Sequence, residues 1–114
     1  MPLPAELQRV VDKELSEYCK NKIPVRVASE LRLSFTTERT TVTLFEERPH
    51  FDRPEEWTSI PVARFRYNLG TGLWTLFWAD RNSKWHTYSD LPPAKTLRPL
   101  LREVDNDPTG IFWG

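Results

Sequence analysis

The residues of this chain that could do chemistry are few and scattered. His50 and His86 are the two histidines. With Asp52 they could form a two-histidine, one-carboxylate metal site, but one falls in a proline-rich stretch, the other in a strand pattern, and no spacing brings them together. Cys19, the single cysteine, falls late in a helical pattern, where the helix dipole disfavours a thiolate. It reads as a small residue at the core edge. Asp105, Asp107 and Gly110 imitate the start of a calcium loop, D-x-D-x-x-G. The bidentate glutamate required at the twelfth position would fall past Gly114, so the run reads as a polar helix exit. Gly70-Thr71-Gly72 joins strand to strand and lacks the following helix that gives phosphate-cradling loops their affinity. The serines and aspartates have no triad context. The sequence therefore points to no catalytic residue, no metal and no cofactor. A metal-dependent enzyme using His50 and His86 stands only as the alternative class.

The elements around these residues fit one domain over residues 1–114. Five Trp, six Phe and three Tyr supply the core, since each buried aromatic removes about 150–250 Å² from water. Sixteen basic residues balance sixteen acidic ones, which argues against a duplex-DNA binder with its basic excess. The opening Met1–Glu6 lacks the basic start and apolar run of a secretion signal. No apolar stretch reaches the roughly 20 residues needed to span a bilayer. A lone cysteine also suits the cytoplasm better than an oxidising compartment. The expected location is cytoplasmic, with no membrane partner.

Leu7, Val10, Val11, Leu15 and Tyr18 recur at helical spacing, which predicts an amphipathic helix over residues 4–20, ended by Asn21 and Pro24. Strict alternation predicts strands at 30–37 and 40–47, joined by a tight turn at Glu38-Arg39. The segment 48–61 breaks the periodicity with three prolines and reads as an ordered loop that tucks Phe51 and Trp57 away from water. Strands follow at 62–67, 73–79 and 84–89, separated by turns at 68–72 and 80–83. A second helix is predicted over 94–105, with Pro99 in its first turn. The apolar tail Ile111-Phe112-Trp113 is expected to dock on the core beside the first helix. The fold class is α+β: a helix, a five-stranded antiparallel sheet made of a hairpin and a three-stranded meander, and a helix, both helices lying on one Trp-rich face.

Register follows from the aromatics. With Asn68 and Leu73 flanking the first turn of the meander, Tyr67 faces Trp74, Phe65 faces Leu76 and Ala63 faces Trp78, and every pair is apolar. With Asp80 and Ser83 flanking the second, Trp78 faces Trp85 and Leu76 faces Thr87. The other face then carries Arg64, Arg66, Phe77, Lys84, His86 and Tyr88, together with Arg32, Phe45 and Thr75. Cations interleaved with rings on an open sheet suit single-stranded nucleic acid, where bases stack and phosphates meet charge. The bland reading of the same face is a solvated surface, a protein-partner surface, or one covered by the 48–61 loop or by a second copy in a homodimer.

The runs Glu47-Arg48-Pro49, Pro61-Val62-Ala63-Arg64-Phe65-Arg66-Tyr67, Trp74-Thr75-Leu76-Phe77-Trp78, Lys84-Trp85-His86-Thr87-Tyr88 and Asp105-x-Asp107-x-x-Gly110-x-Phe112-Trp113-Gly114 resemble the small bacterial family called domain of unknown function 3024, from about residue 40 to the C-terminus. The resemblance implies a stand-alone bacterial cytoplasmic protein. It brings no activity, cofactor or binding residue with it. Within these motifs Trp74, Trp78 and Trp85 are expected on the core face, and Arg48 is expected to pair with Asp105 or Asp107.

Overall fold

A computed structural model describes residues 2–113. The chain forms α1 (Ala5–Lys22), one 3-10 turn (Val25–Val27), β1 (Arg32–Glu38), β2 (Thr41–Pro49), β3 (Trp57–Asn68), β4 (Leu73–Ala79), β5 (Trp85–Thr87) and α2 (Arg98–Asn106). The five strands make one antiparallel sheet in the order β1-β2-β3-β4-β5. The fold is α+β, as expected, and sheet order equals chain order because every connection is a hairpin. No helix among the described residues is long and apolar enough to cross a membrane.

One face of the sheet is sealed. Val42, Leu44, Ala63, Phe65, Trp74 and Leu76 pack in one cluster with Val11 and Leu15 of α1 and Leu100, Leu101 and Val104 of α2. Both helices therefore cover the same side. Within the expected α1 stripe, Val10 departs and is 48% exposed. Pro99 sits in the first turn of α2, where its missing N–H costs nothing. The helix begins later than the sequence suggests, because Ala94 instead exchanges both backbone hydrogen bonds with Trp74 and covers the part of the β4 edge that short β5 leaves open. The tail docks as expected. Asp107, in the left-handed region at φ 42°, accepts hydrogen bonds from the Phe112 and Trp113 amides at 3.0 and 2.9 Å. The Trp113 indole donates to the Val104 carbonyl at 2.8 Å, and Lys22 of α1 lies over its ring.

The first meander turn gives the register read from the sequence: Ala63↔Trp78, Phe65↔Leu76 and Tyr67↔Trp74. The second does not. Asp80 opposes Lys84 rather than Ser83: its amide donates to the Lys84 carbonyl at 2.9 Å, and Ser83, at φ 62°, takes the extra left-handed position. A three-residue loop of this kind shifts the partner strand by one residue, and a one-residue shift exchanges the faces. The pairs are therefore Ala79↔Trp85, Trp78↔His86 and Phe77↔Thr87. Trp85 leaves the expected core face for the outer one. His86 and Tyr88 leave the outer face for the core side.

Half of the segment 48–61 is strand. β2 runs on to Pro49 and β3 begins at Trp57, so the two continue as a ribbon beyond the rest of the sheet. Twelve residues of β3 at about 3.3 Å each span roughly 40 Å, close to the longest dimension of the molecule, 46 Å. The expected loop shrinks to a tip in which Phe51 is 88% exposed and stacked on His50. The segment extends the sheet rather than folding over its outer face.

Candidate functional site

Among the described residues the outer face carries no helix, and its rows can be followed strand by strand. One is Thr36–Thr43–Arg64–Phe77–Thr87 and the next is Glu38–Thr41–Arg66–Thr75. Arg64 and Arg66 alternate with buried Phe65 on β3, which fixes both on this side. The Arg64 guanidinium lies 4.3 Å from the centroid of Trp85, and that of Arg66 lies 4.9 Å from Phe77. The Arg64 Nε–H also donates to Thr43 Oγ1 at 3.2 Å, which explains how a threonine on this open face is buried. Neither Arg64 nor Arg66 makes an ion pair among the described residues. Partial burial lowers the pKa of Arg64, and the neighbouring charge of Arg66 lowers it further against the opposing field of Glu38. Two like charges held side by side without a carboxylate contact favour an anion between them.

Of the residues expected here, Arg64, Arg66 and Phe77 come together. Lys84 is exposed within the turn before β5. His86 is stacked on Trp78 at 4.6 Å, with Nε2 at 2.8 Å from Asp80 Oδ2. That contact leads the effects that lower the Asp80 pKa, followed by the Lys84 amide. Tyr88 is buried against Phe112 and donates its hydroxyl to Glu103 at 2.7 Å. Burial first and Glu103 second push its phenol up to about 12. Neither residue can serve the outer face.

Sequence reading missed Trp85 and Trp57. Trp57 reaches this face through a β-bulge. Leu44 pairs with Ala63 and Phe45 with Pro61, which leaves Val62 unmatched. Val62 and Ala63 are both buried, and the alternation changes phase there, so Trp57, Ser59 and Pro61 share the side of Arg64 and Arg66. The Arg32 guanidinium lies 3.9 Å from the Trp57 centroid. Glu47 holds it at 3.0 Å and receives a hydrogen bond from Ser59 at 2.9 Å. Burial alone would raise the Glu47 pKa, but the hydrogen bonds from Ser59 and Arg32 outweigh it and hold the carboxyl below its usual range. The only advance signal was a pair of consecutive apolar residues, Val62-Ala63, interrupting the alternation.

The other candidates are absorbed by structure. No group of three His, Cys, Asp or Glu side chains among the described residues is placed to hold a metal, so His50, His86 and Asp52 are not brought together. Asp105 accepts from Tyr18 and Lys22 at 3.3 and 2.8 Å, and Asp107 ties the tail, so both acids of the calcium-like run hold the fold together. Arg48 pairs with Glu46 at 2.6 Å, not with Asp105 or Asp107, because that neighbour lies two residues away on its own strand. Cys19 sits half-buried, and burial pushes its thiol up to about 11.

This arrangement, an open sheet face with arginines laid on half-buried aromatics and both helices on the far side, defines a small α+β domain. The chain belongs to the family described as Domain of unknown function (DUF3024), whose model matches residues 3–114. No curated protein and no solved structure matches it significantly.

Proposed function

We propose that this chain is a non-catalytic binding domain whose outer sheet face takes single-stranded nucleic acid, in the bacterial cytoplasm that the family resemblance implies. The observation that carries the reading is the pair Arg64 and Arg66: adjacent on one face of β3, outside any ion pair among the described residues, and each lying on an aromatic ring. A guanidinium spread over a ring is oriented before a ligand arrives, and its free plane can stack a base while its edge meets phosphate. The balanced net charge is compatible with a single strand, which needs only a local cationic track.

Anisotropy of a labelled single-stranded RNA or DNA of about twelve nucleotides, within the usual site sizes, tests this at low and moderate salt. Binding is expected to weaken with salt. Arg64→Ala/Arg66→Ala is expected to flatten the slope by about 1.4, two phosphate contacts at about 0.7 each, with a thermal melt showing that the variant is folded at the assay temperature. No binding at low salt overturns the reading.

A further inference from the structure

We infer that Trp57 and Arg32 form a second base-stacking station for the same strand, electrically unlike the first. The inference rests on the nucleic-acid reading of the outer face and adds a site to it. The bulge at Val62 is what turns Trp57 to the side of Arg64 and Arg66, and bulges commonly re-aim a side chain in this way. At the far end of the ribbon the motif of the first station recurs: Arg32 lies over Trp57 at 3.9 Å, as Arg64 lies over Trp85 at 4.3 Å. The support behind it is also built. Glu47 bonds the Arg32 Nε at 3.0 Å, and Ser59 fixes the other oxygen of Glu47 at 2.9 Å. A carboxylate whose pKa stays low keeps that clamp charged.

The two stations differ in charge. Arg64 and Arg66 lack a carboxylate contact among the described residues, whereas Arg32 is neutralised by Glu47. Phosphate neutralisation releases counterions and gives binding its salt dependence. The first station therefore sets the salt slope, and the second adds affinity by stacking alone. Trp57 and Arg64 stand seven positions apart along β3, about 20 Å allowing for the bulge. A stacked strand advances about 3.4 Å per nucleotide, so about six nucleotides bridge the stations.

Labelled single strands of about four and about twelve nucleotides, within the range of known single-strand sites, separate the two. The longer strand is expected to bind about tenfold more tightly, the effect of one stacked base. Trp57→Ala is expected to remove that gain with no change in salt slope and no change for the short strand, and Trp57→Phe to restore most of it. A thermal melt shows that each variant is folded. Equal affinity for both lengths overturns the second station and leaves the first standing. A slope that flattens in Trp57→Ala overturns the charge assignment. Absence of binding at either length overturns both readings together.

Discussion

On one side of the sheet Phe65, Trp74 and Leu76 are sealed under two helices; on the other Trp57, Phe77 and Trp85 lie half-buried beneath arginines. The residue types are the same and their use is opposite. A ring under a helix loses all its water and contributes to stability in proportion to the area removed. A ring under a guanidinium keeps one flank wet, contributes little to folding, and holds a cation in a fixed orientation. The side of the sheet therefore separates Phe65 and Trp74, which hold the chain together, from Trp57, Phe77 and Trp85, which lie beneath guanidinium groups on the open face.

The largest test of that sorting is truncation on each side. Trp74→Ala should lower stability by about 3–5 kcal/mol, and Phe77→Ala by less than about 1 kcal/mol. Denaturant titration measures both, and equal losses would break the comparison. A middle-sized test concerns Tyr88, which the structure moves to the core side. Tyr88→Phe should cost about 1.5–3 kcal/mol, the range for a hydrogen bond to a charged acceptor. Its pH dependence carries a sign. The folded chain keeps the phenolic proton up to about 12, whereas an unperturbed tyrosine releases it at 10.0. This contribution to stability is thus intact below pH 10.0 and is lost as pH rises toward 12. Denaturant midpoints across that window should fall less steeply in Tyr88→Phe. An identical slope in both proteins would put the phenol back in solvent. The smallest test sharpens the turn that divides the faces. Ser83 holds a left-handed φ of 62° that glycine adopts without a Cβ clash, so Ser83→Gly should stabilise by about 0.5–1 kcal/mol. A loss there would mean the turn differs from a three-residue loop.

Much of the fold was legible in the chain. Leu33, Phe35, Val42 and Leu44 alternate on the first hairpin, and the turn from Asn68 to Gly72 places every apolar pair of the β3–β4 ladder. In that turn the Asn68 side chain caps the Gly70 and Thr71 amides at 2.8 and 3.1 Å, chemistry that asparagine announces in sequence. The β4–β5 turn was not legible. Its left-handed residue is Ser83, where Gly or Asn would have signalled the loop length, and that single residue carried Trp85, His86 and Tyr88 to faces opposite to those expected. Arg64, Arg66 and Phe77 lie on the expected side of the sheet because they belong to the well-marked ladder, whereas His86 and Tyr88, beyond the poorly marked turn, lie on the opposite one.

The sequence by itself determined the helices, the five strands and the apolar side of the central ladder, because helical and strand periodicities are local and the hydrophobic effect reads them directly. Tertiary structure alone decided which side β5 and the ribbon present. A bulge at Val62 and one extra residue in a turn each reverse the alternation. Whether the chain accepts either depends on burying Val62 beside Ala63, and Tyr88 under Phe112 and Glu103, contacts made with residues distant in sequence that no local pattern records.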